Sequence, residues 1–138
     1  MKVIGFGFEK ISSEKKNPIK GKLEISANAQ IQEITEEKAD MLKDVSLLKF
    51  NFEFKLEYNP NIANIEIDGY VLVSIEKKEA KEIIKKWKSK ELDDKIRLDI
   101  LNFVISKTGL KALQIEEDLD LPFHMPFPRI MNKKEDKA

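Results

Sequence analysis

The chain has 138 residues, with 25 basic and 25 acidic side chains, no cysteine and a single histidine, His124. This length predicts one domain, and the balanced charge gives no basis for a nucleic-acid partner or a membrane-surface partner. The missing cysteines exclude disulfides and thiolate metal sites, and one histidine excludes a His-rich metal site within one chain. No apolar run approaches the ~20 residues of a membrane span, and the N-terminus reaches a glutamate too early for a signal peptide. We therefore expect a soluble, cytoplasmic protein.

The charged fraction is 36%, which is high for a soluble protein. Most of the excess is lysine and glutamate, a composition reported for heat-adapted proteins that carry surface ion-pair networks. An ordinary solvated surface is the alternative explanation.

Alternating apolar residues predict two strands in the N-terminal part of the chain, over residues 3–11 and 22–32. The polar residues 12–18 between them are typical of a loop. The following segment, residues 35–48, carries Met41, Leu42 and Val45 among charges, and it fits either a short helix or a crossover loop. Met and Leu in such a segment form adaptable apolar surface, unless the segment packs on its own sheet.

The clearest pattern in the chain covers residues 48–58, where large apolar and polar residues alternate strictly. This predicts a strand with one buried face, which holds Phe50, Phe52 and Phe54. Residues 59–61 predict a turn, and residues 65–75 predict a fourth strand. The opposite face of that strand carries Tyr70 and Leu72, which predict either a subunit contact or cover by other parts of this chain.

Helical periodicity begins near residue 79 and continues to Trp87. A second helix is predicted over residues 93–108, with Gly109 as the residue that ends it and a short helical stretch over residues 110–117. This second helix is apolar on two sides. One side is expected to face the sheet, and the other predicts a contact with a second subunit through Leu98, Leu101 and Ile105.

Residues 121–130 contain three prolines and no regular period, which predicts an extended apolar segment in need of cover. Residues 132–138 are polar and predict a disordered tail after a single domain of residues 1–131.

For His124 we favour a packing or capping role over that of a catalytic base, because no motif supplies a nucleophile. The acidic run over residues 116–120 lacks the spacing of a calcium loop, which favours a solvated helix end.

The order of these elements resembles the SecB family of protein-export chaperones. The resemblance rests on the strand and polar stretch over residues 6–15 (FGFEKISSEK), the fourth strand over residues 69–75 (GYVLVSI), the helix over residues 96–109 and the proline-containing segment over residues 121–130. The family's terminal helix has no counterpart, and its acidic surface for the SecA motor cannot be located. An archaeal or stand-alone relative of SecB fits better than a partner of SecA.

The resemblance implies an α+β fold, with a curved four-stranded antiparallel sheet followed by two or three helices packed on one side. It implies a homodimer or homotetramer without cofactor, metal or enzymatic activity, which holds unfolded polypeptides without ATP in an apolar groove, including clients bound for export. The groove residues that we infer from it are Met41, Leu42, Val45, Trp87, Phe123, Met125 and Phe127. Two alternatives stay open: a small non-enzymatic binding or regulatory domain with a folded partner, and an enzyme that uses carboxylates such as Asp68 or Asp120.

Overall fold

The computed structural model describes residues 1–38 and 44–126, which fold as four strands followed by two helices. The elements are β1 (Lys2–Lys15), β2 (Glu24–Glu37), β3 (Val45–Asn59), β4 (Ala63–Glu76), α1 (Lys77–Trp87) and α2 (Asp94–Asp118). The α+β class that the sequence predicts is confirmed. Each observed strand continues beyond the predicted range at one or both ends, because backbone pairing continues past the alternating apolar residues.

The four strands form one antiparallel sheet in the order β1-β4-β3-β2. Strands β2, β3 and β4 follow one another as neighbours, whereas β1 joins the far side of β4. Residues 16–23 therefore connect opposite edges of the sheet. The interpretation of residues 35–48 as a helix or crossover loop is wrong at both ends, because residues 35–37 continue β2 and residues 45–48 begin the adjacent β3. Residues 39–43 lie outside the described residues.

The core lies between one face of the sheet and the two helices. Phe50, Phe52 and Phe54 are all buried there, which confirms the predicted register of β3. The ring of Phe52 stacks on Phe6 of β1, with 5.6 Å between the ring centroids. The helices bury one side each against this face, and the buried side chains include Ala80, Ile83, Ile100, Val104, Ala112 and Ile115.

The predicted end of the second helix at Gly109 is wrong, because α2 runs through that residue to Asp118. The backbone N–H of Leu121 donates to the Glu116 carbonyl oxygen at 2.8 Å, and that of Asp120 donates to Glu117 at 3.2 Å. With Asp120 at a φ of 53°, this arrangement is a Schellman motif. Helix α2 therefore ends at an aspartate in the left-handed conformation, and Gly109 has a different role.

The turn predicted between β3 and β4 is confirmed at residues 59–61. The Asn59–Pro60 peptide bond is cis, and Asn61 has a φ of 52°. The Ile62 N–H donates to the Tyr58 carbonyl oxygen at 2.9 Å and closes the turn. This turn places the end of β3 beside the end of α2.

Candidate functional site

Three apolar side chains lie along one side of α2, and the described residues leave two of them exposed. Leu98, Leu101 and Ile105 recur at the i, i+3 and i+7 spacing that places residues on one helix face. Leu98 is 57% exposed, Ile105 is 46% exposed, and Leu101 is half-buried. We call these three residues the α2 stripe. Isolated exposed leucines are ordinary, but a continuous row of them is a surface suited to an apolar partner.

The proline-containing segment after α2 lies along the same side of the helix. Gly109 follows Ile105 by four residues, so it belongs to the same face. The Met125 methyl group lies so close to Gly109 that a Cβ there would come within 2.8 Å of it, and His124 Nε2 would be 4.0 Å from that Cβ. Gly109 thus allows the chain to approach α2 closely, and the segment ends its described course beside the α2 stripe.

A buried polar network fixes this segment to the core. Glu116 on α2 is fully buried and accepts a hydrogen bond from the Tyr58 hydroxyl of β3. Its other carboxylate oxygen lies 2.9 Å from His124 Nδ1. The Tyr58 hydroxyl also lies 3.2 Å from the Pro122 carbonyl oxygen, and the His124 ring packs edge-on against Phe54 at 6.2 Å. Burial, followed by the bond to Glu116, raises the pKa of Tyr58 well above its ordinary value, so its hydroxyl stays a donor.

This network gives His124 a packing role. The carboxylate of Glu116 is closed off from solvent, so it cannot reach a bound substrate. The favoured interpretation of His124 therefore agrees with its contacts. The prediction that residues 116–120 form a solvated helix end is wrong for Glu116, because the chain folds back over it after the Schellman motif.

The described groove residues lie on separate parts of the chain. Val45 is half-buried at the start of β3, where the Lys77 N–H of α1 donates to Asp44 at 3.3 Å. Trp87 is the half-buried last residue of α1, about 15 Å further along that helix. Phe123 is 40% exposed in the segment after α2, far along the chain from both. Met41, Leu42 and Phe127 lie outside the described residues.

The sequence assigned the α2 stripe to a subunit contact. Among the described candidates, Met125 is the one that contacts the helix face on which the stripe lies, at Gly109. The apolar period of α2 was visible in the sequence. The return of residues 121–126 along that face was not, because the return depends on the contact of Met125 with Gly109.

Tyr70 and Leu72 lie on the face of the sheet opposite the helices, as the alternation of β4 predicts. A Cβ on Gly7 would come within 2.7 Å of the Tyr70 ring, and a Cβ on Gly5 within 3.3 Å of Leu72. Lys49 covers Tyr70 from β3, with its Nζ 4.9 Å from the ring centroid. Both side chains are half-buried, because each packs against a glycine of the neighbouring strand β1. This favours cover by the chain itself over a subunit contact as the explanation for these two residues.

The same outer face holds a cluster of three carboxylates, whose oxygens lie within 4.8 Å of one another: Glu53, Glu66 and Asp68. Lys10 pairs with Glu66 at 2.8 Å, and Lys55 lies 3.3 Å from Glu53. Burial and the two neighbouring carboxylates raise the pKa of Asp68, whereas the Lys10 bond lowers the pKa of Glu66. A cation here would compete with two lysines, so the arrangement is an ion-pair network across three strands.

The carboxylates considered for catalysis do not converge. Asp68 lies on the outer face of the sheet, and Asp120 ends α2 on the helical side. A general acid and base must reach one substrate together, so this pair does not form an active site.

A cleft of about 410 Å³ opens between α1 and the first turns of α2. Its floor is apolar, with Ile83, Leu92 and Ile96, and its rim carries both signs of charge, with Glu82 and Lys86 among them. This cleft lies at the end of α2 away from the proline-containing segment. Its mixed rim selects no particular charge on a ligand.

Strand β1 forms one edge of the sheet and presents apolar side chains. Ile4, Phe8 and Ile11 are all exposed, and within the described residues no strand pairs with the outer side of β1. An edge of this kind is a template for pairing with another strand.

No described helix is both long and apolar enough to cross a membrane.

The fold has a counterpart among solved structures. No protein-family model and no curated protein matches the sequence. The structure is similar to that of Rv1957, a SecB-like chaperone of Mycobacterium tuberculosis in complex with a ChAD peptide from the antitoxin Rv1956 HigA1. The superposition has a TM-score of 0.51 and covers 94% of this chain and 89% of that one, with 7% sequence identity. At this identity the likeness is one of fold, and the fold of this protein is SecB-like.

Proposed function

We propose that the protein is a non-enzymatic, ATP-independent chaperone that holds unfolded polypeptide along the α2 stripe. The observation that carries this proposal is the row of exposed Leu98, half-buried Leu101 and exposed Ile105 on one face of a helix within a SecB-like fold. Apolar burial is non-directional, so a surface of this kind accepts many client sequences. The Mycobacterium tuberculosis neighbour is itself in complex with a peptide, which supports a polypeptide as the ligand class.

The groove then lies along the face of α2 that carries the stripe and Gly109, beside the proline-containing segment. Met125 lies beside this face at Gly109, and Phe123, Val45 and Trp87 remain candidates for contacts with the client. Met41, Leu42 and Phe127 remain candidates that lie outside the described residues. We expect the activity in the cytoplasm, where chains bound for export would be among the clients.

An aggregation assay tests the proposal. A chemically unfolded substrate is diluted into buffer with and without this protein, and turbidity is followed with and without ATP. We expect suppression near one oligomer per substrate molecule, with no effect of ATP. If a tenfold excess of this protein over the substrate does not suppress aggregation, the proposed function fails and the similarity to SecB-like proteins is one of fold alone.

A matched pair of variants locates the surface. Leu98→Ser and Leu110→Ser each remove an exposed leucine from α2, and Leu110 is 65% exposed. The two positions are about a third of a turn apart around the helix, so only Leu98 belongs to the stripe. We expect Leu98→Ser to weaken suppression several-fold and Leu110→Ser to leave it unchanged. Equal effects would place the client elsewhere.

A further inference from the structure

Helix α1 and the turn after it carry an excess of lysine in a chain whose charges balance as a whole. Residues 77–90 hold seven lysines and two glutamates, whereas the whole chain has 25 charges of each sign. Both glutamates, Glu79 and Glu82, line the cleft between the two helices. The acidic side chains of α1 therefore lie on the side of the helix that faces α2.

Five of these lysines share another face of α1, which we call the lysine face. At about 100° per residue, they fall within about 100° of the helix circumference. All five are exposed: Lys77, Lys78, Lys81, Lys85 and Lys88. No acidic residue of α1 falls within that arc. Across residues 1–38 and 44–126, none of the five forms an ion pair.

This arrangement does not stabilise the helix. Lysines at i, i+4 spacing repel each other, and Lys77, Lys81 and Lys85 form two such pairs in succession. Lys77 and Lys78 also lie in the first turn of α1, where the helix dipole disfavours positive charge. The lysine face therefore costs the helix some stability.

A heat-adapted surface does not account for the lysine face either. Such a surface interleaves charges of both signs, and the outer face of the sheet does so. There Lys10 pairs with Glu66 at 2.8 Å, and Lys55 lies 3.3 Å from Glu53. The lysine face has no such partners in the described part of the chain. A binding partner that supplies the negative charge explains it.

We propose that the lysine face binds an extended acidic segment of a partner polypeptide. Lys77, Lys81 and Lys85 follow one another about every 6 Å along the helix axis. In an extended chain, alternate side chains share one side and stand about 6.6 Å apart. Carboxylates at every second position of the partner therefore meet successive lysines. The proposal does not rest on the proposed function, because none of these lysines belongs to the α2 stripe.

The chemistry of this face favours a polypeptide over a nucleic acid. Single-stranded nucleic acids stack their bases on aromatic side chains, and base edges are read by bidentate arginine. The lysine face contains neither arginine nor an aromatic residue. Trp87 lies on another side of α1, where it is half-buried and has Lys90 Nζ 4.9 Å from its ring centroid. Flexible single charges remain, and these suit carboxylates along a chain.

A peptide-binding measurement with the full-length protein tests the proposal. The probe is a fluorescein-labelled peptide of alternating glutamate and serine, and fluorescence anisotropy at low salt reports its binding. Lys81→Gln with Lys85→Gln removes two charges from the lysine face. The control, Lys107→Gln with Lys111→Gln, removes an i, i+4 lysine pair from α2. We expect the first variant to bind about fivefold more weakly, on the scale of two exposed ion pairs, and the control to bind as the parent does.

Three outcomes would overturn the proposal. The first is that the parent protein does not bind the peptide at low salt, where screening of exposed charges is weakest. The second is an equal loss in both variants, which would show attraction to positive charge anywhere on the surface. The third is tighter binding of an oligothymidylate of equal charge, which would make a nucleic acid the partner.

Discussion

Glu116 is a carboxylate with no access to solvent, on a helix that otherwise buries aliphatic side chains. A buried polar group is tolerated when hydrogen bonds replace its water, and here Tyr58 and His124 supply them. The three residues come from β3, α2 and the segment after α2. They therefore hold the start of the proline-containing segment against the core.

Tyr58→Phe is expected to lower the free energy of unfolding by about 1–3 kcal/mol, because it leaves one oxygen of the buried Glu116 carboxylate without a donor. Chemical denaturation measures the change. The control is Tyr70→Phe at the chain's other tyrosine, whose hydroxyl makes no hydrogen bond within the described residues. A loss at Tyr58 no greater than that at Tyr70 would show that the network does not stabilise the fold.

Asp68 gives a pH-dependent prediction on the outer face of the sheet. Burial and the adjacent Glu66 and Glu53 raise its pKa, so the folded state binds its proton more tightly than the unfolded chain does. The ionised side chain therefore destabilises the fold at pH 7, and this effect disappears as the pH falls below the ordinary pKa of aspartate. We expect Asp68→Asn to raise stability at pH 7 by about 0.5 kcal/mol and to have no effect at pH 3. Thermal unfolding at both values measures it, and a gain at pH 3 alone would contradict the sign.

Helix α2 shows that a glycine inside a helix can serve packing. Glycine is less favourable than alanine in a helix interior by roughly 1 kcal/mol. It is common just after the last helical residue, which is why the sequence pattern predicted an end at Gly109. The structure places the Met125 methyl group against Gly109, in space that a side chain would occupy. The segment after α2 is therefore close to the helix axis at this point.

Gly109→Ala is expected to raise the free energy of unfolding by about 0.5 kcal/mol, because the helix gains propensity and the mobile end of Met125 can rotate away. Gly109→Val is expected to lower it, since a branched side chain at this position meets more of Met125 and approaches His124. Urea denaturation compares the two variants. A loss of more than about 1 kcal/mol for alanine, on the scale of overpacking, would mean that Met125 has no alternative position.

Local patterns predicted the elements well, and non-local contacts explain what they missed. The alternation over β3 predicted its buried face because period-two burial is a property of the strand itself. The buried state of Glu116 depends on Tyr58, far away in the chain, and on residues 121–126, which fold back over α2 after it ends. The contact of Met125 with Gly109 depends on the same return of the chain. The position of the α2 stripe was predicted, but its proximity to Met125 was not, for the same reason.

At the scale of the molecule, the open edge of β1 predicts self-association. Its exposed Ile4, Phe8 and Ile11 favour pairing with the same edge of a second copy, and light scattering at micromolar concentration is expected to give a dimer or tetramer of the 16.0 kDa chain. Phe8→Lys should dissociate the assembly, because a lysine on an edge strand opposes strand pairing. Ile19→Lys is the control, since Ile19 is as exposed as Phe8 but lies in the connection between β1 and β2. A monomer in the parent protein would contradict the prediction.

The strand order also governs the sequence of events in folding. The β1–β4 pair closest in the chain, Lys15 with Ala63, is still further apart than the most distant β2–β3 pair, Glu24 with Asn59. Closing the larger loop removes more chain entropy, so the first strand along the sequence is expected to be the last to join the sheet. Pulsed hydrogen exchange during refolding should protect the amides of β3 before those of β1. Simultaneous protection would mean that the sheet forms in one step. Earlier protection of β1 would contradict the prediction, because β1 would then pair with β4 before β2 and β3 have joined.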